Sequence, residues 1–305
     1  MNDLRLMPAL SRRSWLLTTA AAATTCLGGK AFAIDPFPRK SPGTLKLSLA
    51  AYSFRNELTG KGDTPPAMTL FDLVDFCREH HVPGVELTSY YFPKGFDDHY
   101  LMQLKQHCHV QGISISGGAI RNDFCVGDDR RQSEIDQVAE WIRTYAKLGA
   151  PAIRIFAGNV AKGSTPEEAI ARCASACQEA CKVAEEYGVF LALENHGGIT
   201  AKPEDLVDIV SRVDSPWFGI NFDSGNFRNF EDTYAELAKI APYAVNAQVK
   251  VEIVQNDKKV LADLPSIINV LKQANYGGWV ALEYEAAEPA LEAIPGWLEK
   301  LRPLL

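Results

Sequence analysis

From Leu45 to the end of the chain, short apolar runs alternate eight times with longer segments of helical period, and this pattern restricts the fold more than any other feature. The runs fall at 45–54, 84–89, 113–119, 152–157, 190–195, 218–223, 244–251 and 279–285. They are rich in Val, Ile, Leu and Ala and poor in charge, as strands covered on both faces must be. Helical segments lie near 69–81, 98–111, 132–148, 166–187, 203–212, 231–240, 263–274 and 288–302. Thr165-Pro166-Glu167-Glu168 supplies an N-cap, an N1 proline and an N3 glutamate, while Gly188 and Gly277 stand where helices four and seven need C-terminal caps. Repeated βα units build a parallel sheet, either open and doubly wound or closed. No G-x-G-x-x-G follows the first strand, which weakens the dinucleotide-binding open sheet, and eight units suit a single closed α/β barrel of the (β/α)8 type.

The N-terminus has the anatomy of an export signal. Ser11-Arg12-Arg13-Ser14-Trp15-Leu16-Leu17 leads into an Ala/Thr/Leu run too short to span a bilayer, and Ala31-Phe32-Ala33 fits an A-x-A cleavage site. The arginine pair resembles the twin-arginine motif, with an ordinary Sec signal as the alternative. These features divide the chain into a cleavable signal peptide at 1–33, a Pro/Gly-rich linker at 34–43 and one barrel at 44–305. They imply export to the periplasm or beyond, with the twin-arginine export machinery as partner and no stable membrane insertion. Loss of residues 1–33 moves the net charge from −7 to −10, because four basic residues leave with one acidic residue. An acidic chain without a basic run is a poor binder of nucleic acid. Cys173, Cys177 and Cys181 recur every fourth residue among alanines on one helix face, as core residues would, and no C-x-x-C pair supports a zinc knuckle or redox motif.

Active sites of such barrels lie at the carboxyl ends of the strands. Strand five ends Leu193-Glu194-Asn195-His196, strand six Phe222-Asp223-Ser224-Gly225-Asn226, strand seven holds Gln248-Val249-Lys250, and strand eight ends Leu282-Glu283-Tyr284-Glu285. Each sets a carboxylate or amide after an apolar run, where a lone buried charge is costly. A shared cation compensates all of them. Glu194, Asp223, Gln248 and Glu283 form an oxygen-only donor set suited to one divalent metal ion, Mn²⁺ or Mg²⁺, with Co²⁺ or Zn²⁺ as less fitting alternatives. Lys250 shares the face of Gln248 and either polarises a substrate carbonyl or neutralises acid charge near Glu252 or Glu285. His196, on the face of Glu194, suits a substrate contact and a structural hydrogen bond equally. Glu86, inside the second strand, either supports a ligand or touches substrate, with a plain salt bridge as the alternative. Tyr52, Phe54, Tyr90, Tyr91 and Phe92 follow the first two strands and suit the wall of a sugar pocket or packing between helices. Arg121 and Asn122, after the third, read as solvent-exposed. His80, His81, His99, His107 and His109 fall in or near helices and read as surface or structural.

Taken together, Glu-Asn-His after strand five, Asp-x-Gly-Asn after strand six, Gln-x-Lys on strand seven and the glutamate closing strand eight resemble the xylose isomerase-like TIM barrels. That superfamily contains sugar isomerases and epimerases such as tagatose 3-epimerase, and the resemblance spans the mature chain in strand order. It implies a metal-dependent enzyme acting on a small carbohydrate. Glu194 and Glu283 would be ligands and also the acid/base pair on opposite faces of a keto sugar, with Asp223 a structural ligand. A cation on the carbonyl would stabilise the enediolate between the two proton transfers. Two positions depart from the pattern, since Gln248 and Asn226 both stand where histidine is usual. Asn226 joins Lys250, His196, Glu86 and Tyr52 as a candidate substrate-binding residue. The missing imidazoles argue against the three-zinc DNA-repair nucleases of the same fold. They also favour a second reading, a lyase or hydrolase cleaving 3-keto-glycosides by β-elimination. A non-catalytic sugar-binding barrel is the third, opposed by the retention of both glutamates.

Overall fold

A computed structural model describes residues 36–305, apart from 61, 63 and 229, so the expected signal peptide and the start of the linker lie outside the described residues. Eight strands pair in parallel in chain order. They are β1 (Leu45–Ala50), β2 (Gly84–Thr88), β3 (Ser114–Ala119), β4 (Ala152–Ile155), β5 (Phe190–Glu194), β6 (Phe218–Asp223), β7 (Ala244–Lys250) and β10 (Gly278–Glu283), the last closing the barrel against β1. Around them lie α1 (Leu70–Glu79), α2 (Asp98–Gln111), α3 (Asp128–Leu148), α4 (Pro166–Tyr187), α5 (Pro203–Arg212), α6 (Thr233–Ile240), α7 (Leu264–Gln273) and α8 (Ala290–Leu301). The single (β/α)8 barrel expected from the alternation is therefore present.

Local chemistry sets the element ends. In α4 the Thr165 hydroxyl accepts from the Glu168 amide, the Glu168 carboxylate accepts from the Thr165 amide at 3.0 Å, and Gly188 ends the helix at φ 68°. The cysteine stripe of this helix is buried, and its thiols are free. Gly277 is not the cap of α7, because the left-handed residue there is Asn275, at φ 53°. Gly277 instead allows a close approach: a Cβ on it would lie 2.7 Å from the Cα of Gly43. The first strand is shorter than its apolar run suggests, since Ala51–Phe54 turns as a 3₁₀ helix.

One element has no counterpart in the sequence reading. β8 (Glu252–Gln255) and β9 (Lys258–Leu261) form an antiparallel hairpin between β7 and α7, turned by Asn256 and Asp257 at φ 49° and 57°. Two successive left-handed residues are what a two-residue hairpin loop requires. The stretch read as a linker also packs down: the Phe37 amide donates to Pro242 O at 3.3 Å, and its ring meets Phe190 at 6.2 Å. Among the described residues no helix is long and apolar enough to cross a membrane.

Candidate active site at the strand tops

Two polar layers fill the upper barrel, where branched apolar side chains would be usual. The lower layer is a closed ring of hydrogen bonds. Asn246 Nδ2 donates to Glu86 Oε2 at 2.7 Å and to Asn221 Oδ1 at 2.8 Å, Asn221 Nδ2 donates to Gln248 Oε1 at 2.6 Å, and Gln248 Nε2 donates to Glu86 Oε1 at 2.5 Å. An ionised carboxylate only accepts, which dictates the amide orientations around the ring. Glu86, expected either to support a ligand or to touch substrate, is 0 % exposed with both oxygens committed to Asn246 and Gln248, so it supports Gln248 and does not reach the surface.

The upper layer is organised by Lys250. Its Nζ lies 2.8 Å from Glu285 Oε2, 3.3 Å from Glu283 Oε1 and 3.4 Å from Asp223 Oδ2, and donates to Asn226 Oδ1 at 3.2 Å. Asn226 donates in turn to Glu194 Oε1 at 2.7 Å. Glu194 Oε2 faces Arg154 Nε at 3.0 Å. Lys250 is thus inside the barrel and neutralises acids, including Glu285; Glu252 pairs with Lys259 instead. Gly225 is required here, because a Cβ on it would lie 2.7 Å from Lys250 Cδ. Asn195 ties β5 to β6 by donating to Asp223 O and accepting from the Asp223 amide, both at 2.9 Å.

Arg154 was not foreseen. It is buried, donates to Ile120 O at 2.8 Å and lies 3.9 Å from the centre of the Phe156 ring. A signal existed in the sequence, a single charge at an inward position of the otherwise apolar β4.

Burial pushes the carboxyls of Glu86, Glu194, Asp223 and Glu283 each up to about 7, against the pull of Arg154 on Glu194 and of Lys250 on Asp223 and Glu283. Burial alone would lower the Lys250 ammonium, but Asp223, Glu283, Glu285 and Glu194 hold it well above its ordinary value. The raised acids have a consequence for stability. Between their ordinary values near 4 and about 7, the folded protein binds more protons than the unfolded chain, so stability falls as pH rises through that window. The urea midpoint is accordingly higher at pH 5.5 than at pH 8, and a midpoint that climbs over that span would contradict the charge arrangement.

Beside the residues that follow β1, β2 and β3 opens a cavity of about 610 Å³ lined by Tyr52, Arg55, Tyr90, Tyr91 and Arg121 among others, and a separate one of about 60 Å³ is lined by Asn226, Lys250 and Glu285 among others. Tyr52 lies within the field of Glu285 and Glu283, and Tyr90 close to Arg154, which brings the larger cavity near the acids. Arg121 is exposed, as expected, and stacks 5.0 Å from the Tyr90 ring centre. Phe54 and Phe92 belong to the core, not the wall. Asn122, by contrast, is not solvent-exposed: it is 6 % accessible and exchanges hydrogen bonds with the backbone of Phe156. His196 is exposed beside Phe156, with ring centres 4.3 Å apart; partial desolvation and then the Arg154 and Lys250 charges push it down to about 4. His80 and His81 end α1, and His99, His107 and His109 lie on α2.

A parallel eight-stranded barrel with buried acids near a tyrosine-lined cavity defines the class, a TIM barrel with its site at the carboxyl ends of the strands. The chain belongs to the xylose isomerase-like TIM barrel family, which matches residues 74–301. It is similar in fold to the D-psicose 3-epimerase of Clostridium cellulolyticum H10 solved with D-tagatose, with a TM-score of 0.70 at 15% identity over 85% of this chain and 99% of that one. It is also similar to IOLI protein with a bound zinc atom, with a TM-score of 0.69 at 18% identity over 85% and 96%. The C-glycoside deglycosidase alpha subunit of Arthrobacter globiformis is 28% identical over 153 residues, 47% of this chain. The matched regions span 57% of the length of an uncharacterized protein of Methanocaldococcus jannaschii, 25% identical over 168 residues, and 38% of the deglycosidase subunit.

The strand-top side chains do not assemble as the expected metal-ligand set. Gln248 has both ends of its amide in the lower ring. Asp223 and Glu283 point at an ammonium, and Glu194 at a guanidinium. The buried oxygens Glu194 Oε2 and Asp223 Oδ2 receive no hydrogen bond, yet each already faces a protein cation. Among the described residues no three His, Cys, Asp or Glu side chains converge closely enough to hold a metal ion.

Proposed function

We propose that the protein is a sugar isomerase or epimerase that moves a proton at the carbon beside a substrate carbonyl. The observation that carries this reading is a pair of buried carboxyls at the carboxyl ends of the strands, Glu194 from β5 and Glu283 from β10, linked through Asn226 and Lys250. One carboxylate takes the proton, and the electron pair moves toward the carbonyl oxygen. The other carboxyl returns a proton to the opposite face or to the neighbouring carbon. Acids held near 7 suit both halves of that cycle. Tyr52, Tyr90 and Tyr91 offer ring faces for a sugar, and Asn226, His196 and Lys250 offer hydrogen bonds to its hydroxyls. The Arg12-Arg13 segment supports export of this activity to the periplasm or beyond, which would favour an unphosphorylated substrate.

The likeness to a C-glycoside deglycosidase subunit supports a second reading, a lyase that abstracts the same proton beside a 3-keto group and expels the glycosidic oxygen. Incubation with a panel of ketoses and 3-keto-glycosides in D₂O separates the two. The isomerase reading expects deuterium on carbon in recovered ketose; cleavage without exchange would transfer the assignment to the lyase, and neither outcome across the panel would leave only a binding protein. Each substrate is run with and without added Mn²⁺, so a metal requirement is read in the same experiment.

A further inference from the structure

Proton abstraction beside a carbonyl needs a positive charge where the oxygen becomes negative. We propose that Lys250 is the resident cation of this site, its ammonium standing among Asp223, Glu283 and Glu285, so that the protein works without a divalent metal. The inference rests on the proton-transfer reading for its chemistry but not for its geometry.

Three features of the barrel carry it. The ammonium sits among three carboxylates from β6, β10 and the segment just after β10, at 3.4, 3.3 and 2.8 Å. A dication held by Asp223 and Glu283 would therefore meet a like charge at contact distance. The lysine is also built into place: its amide donates to Ser224 Oγ at 2.8 Å, Gly225 leaves room for its stem, and Asn226 receives its ammonium. Finally, the oxygen donor nearest to it on the same strand, Gln248, is locked into the lower ring by Asn221 and Glu86.

In the reaction, the C–H electron pair becomes the carbon–carbon double bond as the carbonyl oxygen takes the negative charge. A Lys250 N–H donates to that oxygen, and the pair returns to carbon when the second carboxyl delivers its proton. Atoms and electrons balance with no oxidant or further reactant.

The test needs no substrate. The purified protein is dialysed against EDTA, its metal content measured by mass spectrometry, and Mn²⁺ and Mg²⁺ then titrated by calorimetry. The expected result is a substoichiometric metal content and no saturable site tighter than about 1 mM. One retained equivalent of metal, or a micromolar Mn²⁺ site, would overturn the proposal. In a second arm, Lys250→Met removes the ammonium. Mn²⁺ should then raise the melting temperature of the variant by about 5 °C and leave the wild type unchanged. A variant no more responsive to Mn²⁺ than the wild type would also overturn the proposal. If the variant fails to fold, the wild-type titration decides alone. Stoichiometric metal would sink the lysine reading and leave the proton transfer standing; absence of exchange with any sugar would do the reverse.

Discussion

Glu194→Gln and Glu283→Gln each lose about 10²–10⁴-fold in proton exchange while remaining folded, because an amide keeps the shape and hydrogen bonding of the side chain but cannot carry the proton. Retention of the fold has a physical basis. Both carboxyls are buried and held up to about 7, so a neutral side chain at either position removes the desolvation cost of a carboxylate, which offsets part of the charge pairing lost with Arg154 at Glu194 and with Lys250 at Glu283. Arg154 keeps its bond to Ile120 O and its stacking on Phe156 when Glu194 is neutral. Circular dichroism and deuterium incorporation, measured on the same samples, check both halves. A near-normal exchange rate in either variant would remove that residue from the acid/base pair.

The largest stability effect belongs to Arg154. Replacement by Met leaves Glu194, 2 % exposed, without its cation, and loss of one partner of a buried pair costs about 3–5 kcal/mol. The loss is greatest above pH 7, where Glu194 is ionised, and smaller below, where it binds a proton. Adding Glu194→Gln to Arg154→Met restores much of the stability, since the double variant contains no uncompensated charge. Urea denaturation of the three variants at pH 6 and pH 8 measures this cycle. Strictly additive losses would show that Arg154 and Glu194 do not act as a pair.

Much of this site is legible in the sequence. Glu194, Asp223 and Glu283 close apolar runs, and Lys250 shares an inward face with Gln248 because strand side chains repeat every second residue. Which partner each inward residue takes was not readable. Gln248 looked like a ligand equal to the acids, but its partner Glu86 lies 162 residues away across the barrel. Arg154 was overlooked for the same reason, since its meaning depends on Glu194 arriving opposite it. The β8–β9 hairpin escaped because its second strand is exposed throughout and its Asn-Asp turn is a weak signal in sequence.

By itself the sequence determined the order of eight strands and helices and the positions of the acids at the strand ends. Those follow from periodicity and from local preferences of the backbone, which act over a few residues. Only the tertiary structure decided that the cation among those acids is Lys250, that Glu86 serves the ring beneath it and that Arg154 pairs with Glu194. Hydrogen bonds and charge pairing in a buried lumen are settled by groups distant in the chain, and closure of the barrel is what brings them within reach.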